Sequence, residues 1–448
     1  MRFRALGRVA ETTRDNEKRM ITLVLALALA PTPEHHLVMV SIDGFAAHSL
    51  KDPTVAVPNI RRLIAEGAVA DGMTPVNPTV TWPNHTSLVT GVVPARHSVL
   101  FNGQAQRTGE GKPLKVEPWV AKEELVASPT LYDAAYQAKL TTSEVDWVAI
   151  HKPRTITWAF PEVPSVDGSI EREMVAAGLV TAAEVAGFGK LPITYRDEIW
   201  TRAGEHLLMR HKPNLLLFHL LTTDSLQHAH GARSVAGKAA LELADARLGR
   251  LIEAVRRAGI LDKTTFLIVS DHGFKTVRHQ IQPNALFAAN GLGEALWSIP
   301  EGGTAMVYAT RTQGKPEALA RAQQLLRGVE GVARILTPEE FAGFGYPTPA
   351  KNGRMADLVA AAADGYAFGG ATTGPAVVPV AAGASPGTHG YLSTEPDMAA
   401  IFVASGRGIK KGSRLGMIRN VDVAPTAAKL LGLALEGVDG RVLAEILQ

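Results

Sequence analysis

Three short stretches of this chain are apolar almost without interruption: His36–Ile42 (H-L-V-M-V-S-I), Asn214–Leu221 (N-L-L-L-F-H-L-L) and Thr265–Ser270 (T-F-L-I-V-S). A strand with one wet face alternates polar and apolar residues. A continuous run needs cover on both faces, which a parallel strand between two helical layers provides. Helical stretches separate these runs. The pattern predicts helices over Asn59–Glu66, Leu131–Lys139, Asp197–Arg210 and Ser234–Ala258, the last closed by Gly259, and a further strand over Glu144–Ile150. Such a β/α rhythm predicts an α/β fold built on a doubly wound, mostly parallel sheet.

Near residue 300 the texture changes. Ala305–Ala309, a helix around Glu317–Leu326 and Ala333–Leu336 read as a small β-α-β insert, and Gly365–Gly387 reads as an irregular loop. Met398–Ala404 returns to strand character, and Asn420–Leu431 reads as a helix with Pro425 near its start and Gly432 after it. The expected organisation is one α/β domain over 37–448 with residues 300–386 as an inserted small α+β subdomain and loop.

The first thirty residues differ from the rest. A basic stretch (Arg2, Arg4, Arg8, Arg14, Lys18, Arg19) precedes M-I-T-L-V-L-A-L-A-L-A, ending at Ala30. The apolar part has the length of a secretory h-region and is too short to span a bilayer. Residues 1–30 therefore read as a signal segment, cut after Ala30 or Ala28, of an exported, periplasmic or extracellular protein. The alternative is a buried first element, and a start at Met20 would remove the positive flank. No other segment approaches eighteen uninterrupted apolar residues, so no stable membrane span is expected in the mature chain.

Charge follows from the same division. The whole chain has 46 Lys plus Arg and 43 Asp plus Glu, with a sequence pI near 9.0, which raises nucleic acid or an anionic membrane as partners. The leader holds six of the basic and three of the acidic residues, so the remainder carries 40 of each. No nucleic acid polymer is expected as a partner. The chain has no cysteine, which excludes disulfides, Cys-ligated zinc, iron–sulfur clusters and Cys nucleophiles. A metal would need His, Asp, Glu or hydroxyl ligands.

Chemistry collects at the carboxyl ends of the apolar runs, where parallel α/β sheets place their sites. Asp43 follows the first, Asp224 the second (T-T-D-S-L-Q-H), and Asp271-His272 the third. Buried acids are costly without positive compensation, and a divalent metal supplies it. Asp224 and His228 stand four apart, one face of a helix or tight turn. His389 lies in G-T-H-G. Each fragment alone is common. Together, three aspartates and three histidines suit two zinc sites of His/Asp type. In V-T-W-P-N-H-T-S-L-V-T-G (Val80–Gly91), Thr81 precedes a Pro at a helix start, where backbone N–H groups favour phosphate-like anions. Thr81 is either a metal-activated nucleophile or a plain N-cap.

The order Asp43, Thr81 in T-W-P-N-H, Asn102, Asp224-x-x-x-His228, Asp271-His272 and His389 resembles the alkaline phosphatase superfamily. More closely it is similar to bacterial nucleotide pyrophosphatase/phosphodiesterases, which carry T-F-P-N-H at the same place. G-Y-A-F-G-G (Gly365–Gly370) and V-D-V-A-P-T (Val421–Thr426) extend the likeness. The resemblance implies an alkaline-phosphatase-type fold and two Zn2+ per chain. It implies that Asp224, His228 and His389 hold the zinc that activates water, and that Asp43, Asp271 and His272 hold the zinc that binds Thr81. Asn102 would join the Trp82 backbone N–H as an oxyanion clamp. The implied reaction is hydrolysis of a small phosphate ester, a nucleotide-like diester or pyrophosphate, through a covalent phosphothreonine. A Thr at the nucleophile position and the lack of Cys argue against a sulfatase.

Monoester or diester stays open at this level. Lys152 and Arg154, in H-K-P-R, are either a solvated turn or phosphate-binding cations of a monoesterase. The chain has Trp147-Val148 where the branch has Trp-Pro, which bears on the pocket. An alkaline phosphomonoesterase or phosphonate hydrolase is the alternative, and a non-catalytic metal-binding ectoprotein the remote one. The physiological substrate and oligomeric state have no signature in the sequence.

Overall fold

The computed structural model describes residues 34–381 and 383–448. The leader reading of residues 1–30 lies outside these. The apolar runs form adjacent strands of an eight-stranded sheet. In chain order its strands are β1 (His36–Ile42), β2 (Ala68–Thr74), β3 (Thr142–Val145), β4 (Trp158–Phe160), β5 (Leu215–Leu220), β6 (Thr264–Val269), β7 (Phe402–Gly406) and β8 (Ser413–Arg419). Their spatial order is β8-β2-β7-β6-β1-β5-β3-β4. Neighbours pair parallel except around β7, which runs antiparallel to both β6 and β2. The mostly parallel α/β expectation is met.

Each face of the sheet buries its own side chains, as two-sided cover requires. Val38, Val40 and Ile42 pack with Ile199, Trp200, Leu248 and Leu251. These four come from helices α5 (Ile193–His206) and α7 (Val235–Arg257), and the same layer holds α1 (Pro58–Glu66) and α4 (Ser169–Ala176), with α6 (Thr222–His230) between α5 and α7 in sequence. Leu37 and Met39, one residue out of phase, pack with Leu88, Leu131, Val423 and Ala427. That layer holds α2 (Thr81–Thr90), α3 (Leu131–Gln137) and α8 (Val423–Leu430). Leu217 of β5 is fully buried in this second layer. Leu217→Ala is expected to cost about 2–5 kcal/mol of unfolding free energy, read as a lower denaturant midpoint at unchanged m-value.

Three expectations need correction. The strand expected over Glu144–Ile150 stops at Val145. Asp146 and Ala149 take positive φ, and Asp146 is pinned to a histidine of the neighbouring strand, so pairing ends there. The strand expected at Met398–Ala404 begins at Phe402, because Pro396–Met398 form a 3-10 turn. Gly365–Gly387 is not wholly irregular: Tyr366–Phe368 and Val377–Pro379 flank His279–Ile281 in a three-stranded sheet.

Between β6 and β7 the chain builds a four-stranded antiparallel sheet, ordered Leu296–Glu301, Thr304–Ala309, Leu358–Ala362, Val332–Leu336. The helix Lys315–Arg327 packs on it through Ala318, Ala322 and Leu326.

Candidate active site and metal centre

Register brings the acids together. Ser41 of β1 pairs with His219 of β5 on one side and Val269 of β6 on the other, so the three strands end nearly level. Asp43 and Asp271 follow at once, and Asp224 sits in the first turn of α6. Neighbouring strands lie about 4.8 Å apart, so their ends make one small site. Gly44 turns the chain at φ 69°, a conformation that favours glycine. A Cβ there would meet Phe274 at 2.8 Å.

Two groups result. In one, His228 Nε2 lies 3.3 Å and His389 Nε2 3.6 Å from the same oxygen of Asp224. In the other, His272 Nε2 lies 3.1 Å from Asp271 Oδ2 and 3.4 Å from Asp43 Oδ1. Either set could hold a metal ion. The groups adjoin, for the rings of His272 and His389 stack at 3.8 Å.

Backbone carbonyls orient all three imidazoles. His228 Nδ1 bonds Gly387 O (2.9 Å), His389 Nδ1 bonds Thr79 O (3.0 Å) and His272 Nδ1 bonds Gly273 O (3.0 Å). A carbonyl only accepts, so each Nδ1 carries a proton and each Nε2 is the atom turned inward. Burial holds His272 down to about 4 and His389 to about 3, so both are neutral near pH 7. Burial lowers His228 too, but Asp224 outweighs it and raises the group above its usual value.

The carboxylates are held from behind. Asp271 Oδ1 accepts from the N–H groups of Gly44 (3.1 Å) and His272 (3.0 Å). Asp43 Oδ2 meets His219 Nε2 at 2.9 Å. The inward atoms are Asp43 Oδ1, Asp224 Oδ1, Asp271 Oδ2 and His272 Nε2. All four are buried and make no hydrogen bond. An orphaned buried polar atom is expensive, and four converging acid and imidazole atoms are what metal ligands look like. Burial, then the nearby Asp271 and Asp224, push the Asp43 carboxyl well above the carboxylate range. Burial raises Asp224 as well, but His228 and the other histidines bring it down to about 2.

Thr81 is the first residue of α2, and its side chain makes no cap hydrogen bond, since Val80 is the N-cap. The plain N-cap alternative is therefore not met. Asn84 braces the preceding turn by accepting from the Val76 N–H and donating to the carbonyls of Val76, Pro78 and Val80. Thr79 O bonds His389, and Thr81 O bonds His85 Nδ1 (2.9 Å), which lies 3.6 Å from Asp271. The helix start is thereby tied to both groups. The Trp82 N–H donates to Asn102 Oδ1 at 2.9 Å. Asn102 and the Trp82 N–H are thus adjacent, with the N–H engaged by the asparagine itself rather than left free.

Beside Trp82 opens a cleft of about 600 Å3, walled by Trp119, Trp147, Val148 and Glu162, with Lys152 at its rim. Lys152 and Arg154 are both exposed, and the Arg154 N–H donates to Glu123. Neither cation makes an ion pair with the acids of the two groups.

The sequence pattern passed over His219, Asp146 and His85. His219 spans Asp43 and Asp146, with Nδ1 3.0 Å from Asp146 Oδ2. Burial disfavours its charge, but the two acids outweigh that and raise it well above its usual value. Protonated, it donates from both nitrogens and fixes which oxygen Asp43 turns inward. One polar residue inside the apolar run of β5 was the available signal.

The family model for type I phosphodiesterase / nucleotide pyrophosphatase matches residues 37–392. Rat ectonucleotide pyrophosphatase/phosphodiesterase family member 7 is 25% identical over 421 residues, covering 91% of this chain and 85% of that protein. Human family member 7 is 25% identical over 449 residues, covering 94% and 87%. The solved structure of human ectonucleotide pyrophosphatase/phosphodiesterase 5 superposes with a TM-score of 0.72 at 19% identity, covering 92% of this chain and all of that one. A murine structure of the same protein, an inactive threonine-to-alanine variant in complex with AMP, gives the same TM-score of 0.72 at 18% identity.

Proposed function

This chain belongs to the type I phosphodiesterase / nucleotide pyrophosphatase family, and from that premise we propose that it is a zinc-dependent phosphodiesterase or nucleotide pyrophosphatase with Thr81 as nucleophile. The observation that carries the metal is the convergence of four buried atoms without hydrogen bonds, from Asp43, Asp224, Asp271 and His272. Asp224, His228 and His389 would hold one ion, and Asp43, Asp271 and His272 the other. Neutral imidazoles and carboxylates suit zinc better than magnesium. Two such ions, when bound, would supply positive charge to neutralise the reacting phosphate and favour the ionised Thr81 hydroxyl.

The chain's own residues do the rest. The Thr81 hydroxyl oxygen attacks phosphorus in line, the P–O bond to the leaving group breaks, and the hydroxyl proton ends on the departing oxygen. A phosphothreonine that still carries the diester's other substituent forms, and water then splits its P–O bond to Thr81, releasing a monoester and regenerating the hydroxyl. Asn102 swings its amide so that its NH2 group and the freed Trp82 N–H both face a phosphoryl oxygen. His219 keeps Asp43 in register, and the carbonyls of Gly387, Thr79 and Gly273 keep three imidazoles aimed.

The apolar cleft beside Trp82 supports a diester, whose second substituent needs a pocket rather than extra positive charge. The exposed Lys152 and Arg154, unpaired with the site, are consistent with that. AMP, the ligand of the murine relative, supports a nucleotide-like substrate. The catalytic domain would cover 37–448 with 300–386 inserted, and the "ecto" in the relatives' names supports an exported protein. The test is a comparison of bis(p-nitrophenyl) phosphate with p-nitrophenyl phosphate, with and without added zinc. Higher kcat/KM on the diester and loss with chelator are expected. A tenfold preference for the monoester would overturn the diesterase reading.

A further inference from the structure

A second kind of ligand convergence lies away from this site. Glu173 sits on α4, His206 is the last residue of α5, and His211 ends the π-helical turn Leu207–His211 that follows. One oxygen, Glu173 Oε2, meets His206 Nε2 at 2.9 Å and His211 Nε2 at 2.8 Å. The two histidine side chains are 13% and 15% exposed, while that of Glu173 is 38% exposed.

Helical geometry makes this meeting a feature to be explained. Residues five apart on an α-helix point about 140° away from each other at 3.6 residues per turn. The π turn widens the helix and brings His206 and His211 to one side. Such turns give up regular hydrogen bonding and concentrate at functional sites. This one closes with Lys212 at φ 49°, a left-handed conformation that is costly for lysine. Trp158 lies against His211 with ring centroids 4.5 Å apart. Two nearly enclosed imidazoles held on one carboxylate, with solvent on the open side, match a three-ligand site whose fourth position is water.

The place is remote from the catalytic residues. Asp197 on α5 accepts from the N–H groups of Leu221 and Thr222 at the carboxyl end of β5. His206 is nine residues further along α5, about 14 Å at 1.5 Å per residue. It lies towards the other end of the sheet, where the chain is about to enter β5.

We propose that Glu173, His206 and His211 form a further divalent-metal site, of zinc type, that ties α4 to the junction of α5 and β5. In tetrahedral zinc with bonds of about 2.0–2.1 Å, ligand atoms stand about 3.3 Å apart. The Glu173 oxygen therefore needs to draw back from each imidazole nitrogen by only a few tenths of an ångström to admit the ion. The site is independent of the catalytic reading above.

Zinc titration of the chelator-stripped full chain against a chromophoric competitor tests this. Wild type takes up one more equivalent per chain than His211→Gln or Glu173→Gln, and Arg210→Ala, an exposed neighbour in the same turn, keeps that equivalent. Diester turnover of the fully loaded glutamine variants stays within about twofold of wild type. Equal uptake by wild type and both variants would overturn the proposal and leave a hydrogen-bonded cluster only. Failure of the catalytic metal reading would lower every count alike and preserve the difference of one. Should the variants not fold, one Cu2+ added to wild type holding only two equivalents of zinc gives a pulsed EPR signature of two coordinated imidazoles. Its absence equally overturns the site.

Discussion

Thr81→Ala is expected to lower kcat/KM on a phosphodiester by at least about 10³-fold while leaving metal content and folding unchanged. The substitution removes the attacking atom, and an interaction made only in the transition state is lost from kcat rather than from the ground state. The position makes this a clean experiment. Thr81 does not cap its helix, because Val80 occupies that place, and its side chain supports no backbone group there. Its carbonyl still orients His85 in the variant, since the backbone is unchanged. Thr81→Ser should recover part of the activity. Acid quenching of wild type during turnover of a labelled phosphodiester should trap on Thr81 the phosphoryl group with its remaining ester substituent. Activity of the alanine variant within tenfold of wild type would remove Thr81 from the mechanism.

Stripping the metal should be as damaging, and should also reach the fold. Asp43, Asp224 and Asp271 sit with no exposed side-chain surface or little of it, and the protonated His219 offsets only part of their charge. Chelation is expected to abolish turnover, and zinc to restore it where magnesium alone does not. It should also lower the unfolding temperature. Free metal at 1,000 times its Kd is worth about 4 kcal/mol to the folded state. Calorimetry with and without chelator reads this directly. Full activity in the presence of chelator at metal-free stoichiometry would refute the metal assignment.

How much of this was legible in the sequence depends on what each residue answers to. The strand ends were legible because a continuous apolar run followed by Asp has few other meanings in an α/β chain. Asp43, Asp224, Asp271 and His272 follow from that. His389 was placed by its setting in G-T-H-G rather than by spacing, since nothing local to residue 389 says that Thr79 will aim its ring. His219 and Asp146 escaped for a physical reason. Their pairing is a contact between a strand and a loop, and the stretch after Val145 reads as strand because Trp147, Val148 and Ile150 are apolar. They are apolar because they are buried at the site. The engaged Trp82 N–H was equally out of reach, since it depends on an asparagine rotamer. Glu173, His206 and His211 have no motif because a π turn sets their spacing.

The stacked rings of His272 and His389 carry one more consequence. The chain leaves the site at the first, builds a separate four-stranded sheet, and returns at the second. Loop closure costs only about 0.6 kcal/mol for each doubling of length, so an excursion of this size weighs little on equilibrium stability. It weighs more on kinetics, because contacts distant along the chain form late. During synthesis Asp43, Asp224, His228, Asp271 and His272 are all in place before His389 exists. The Asp224, His228 and His389 group is therefore completed only after the excursion has emerged, and a chain stopped short of it would hold the acids without the third histidine.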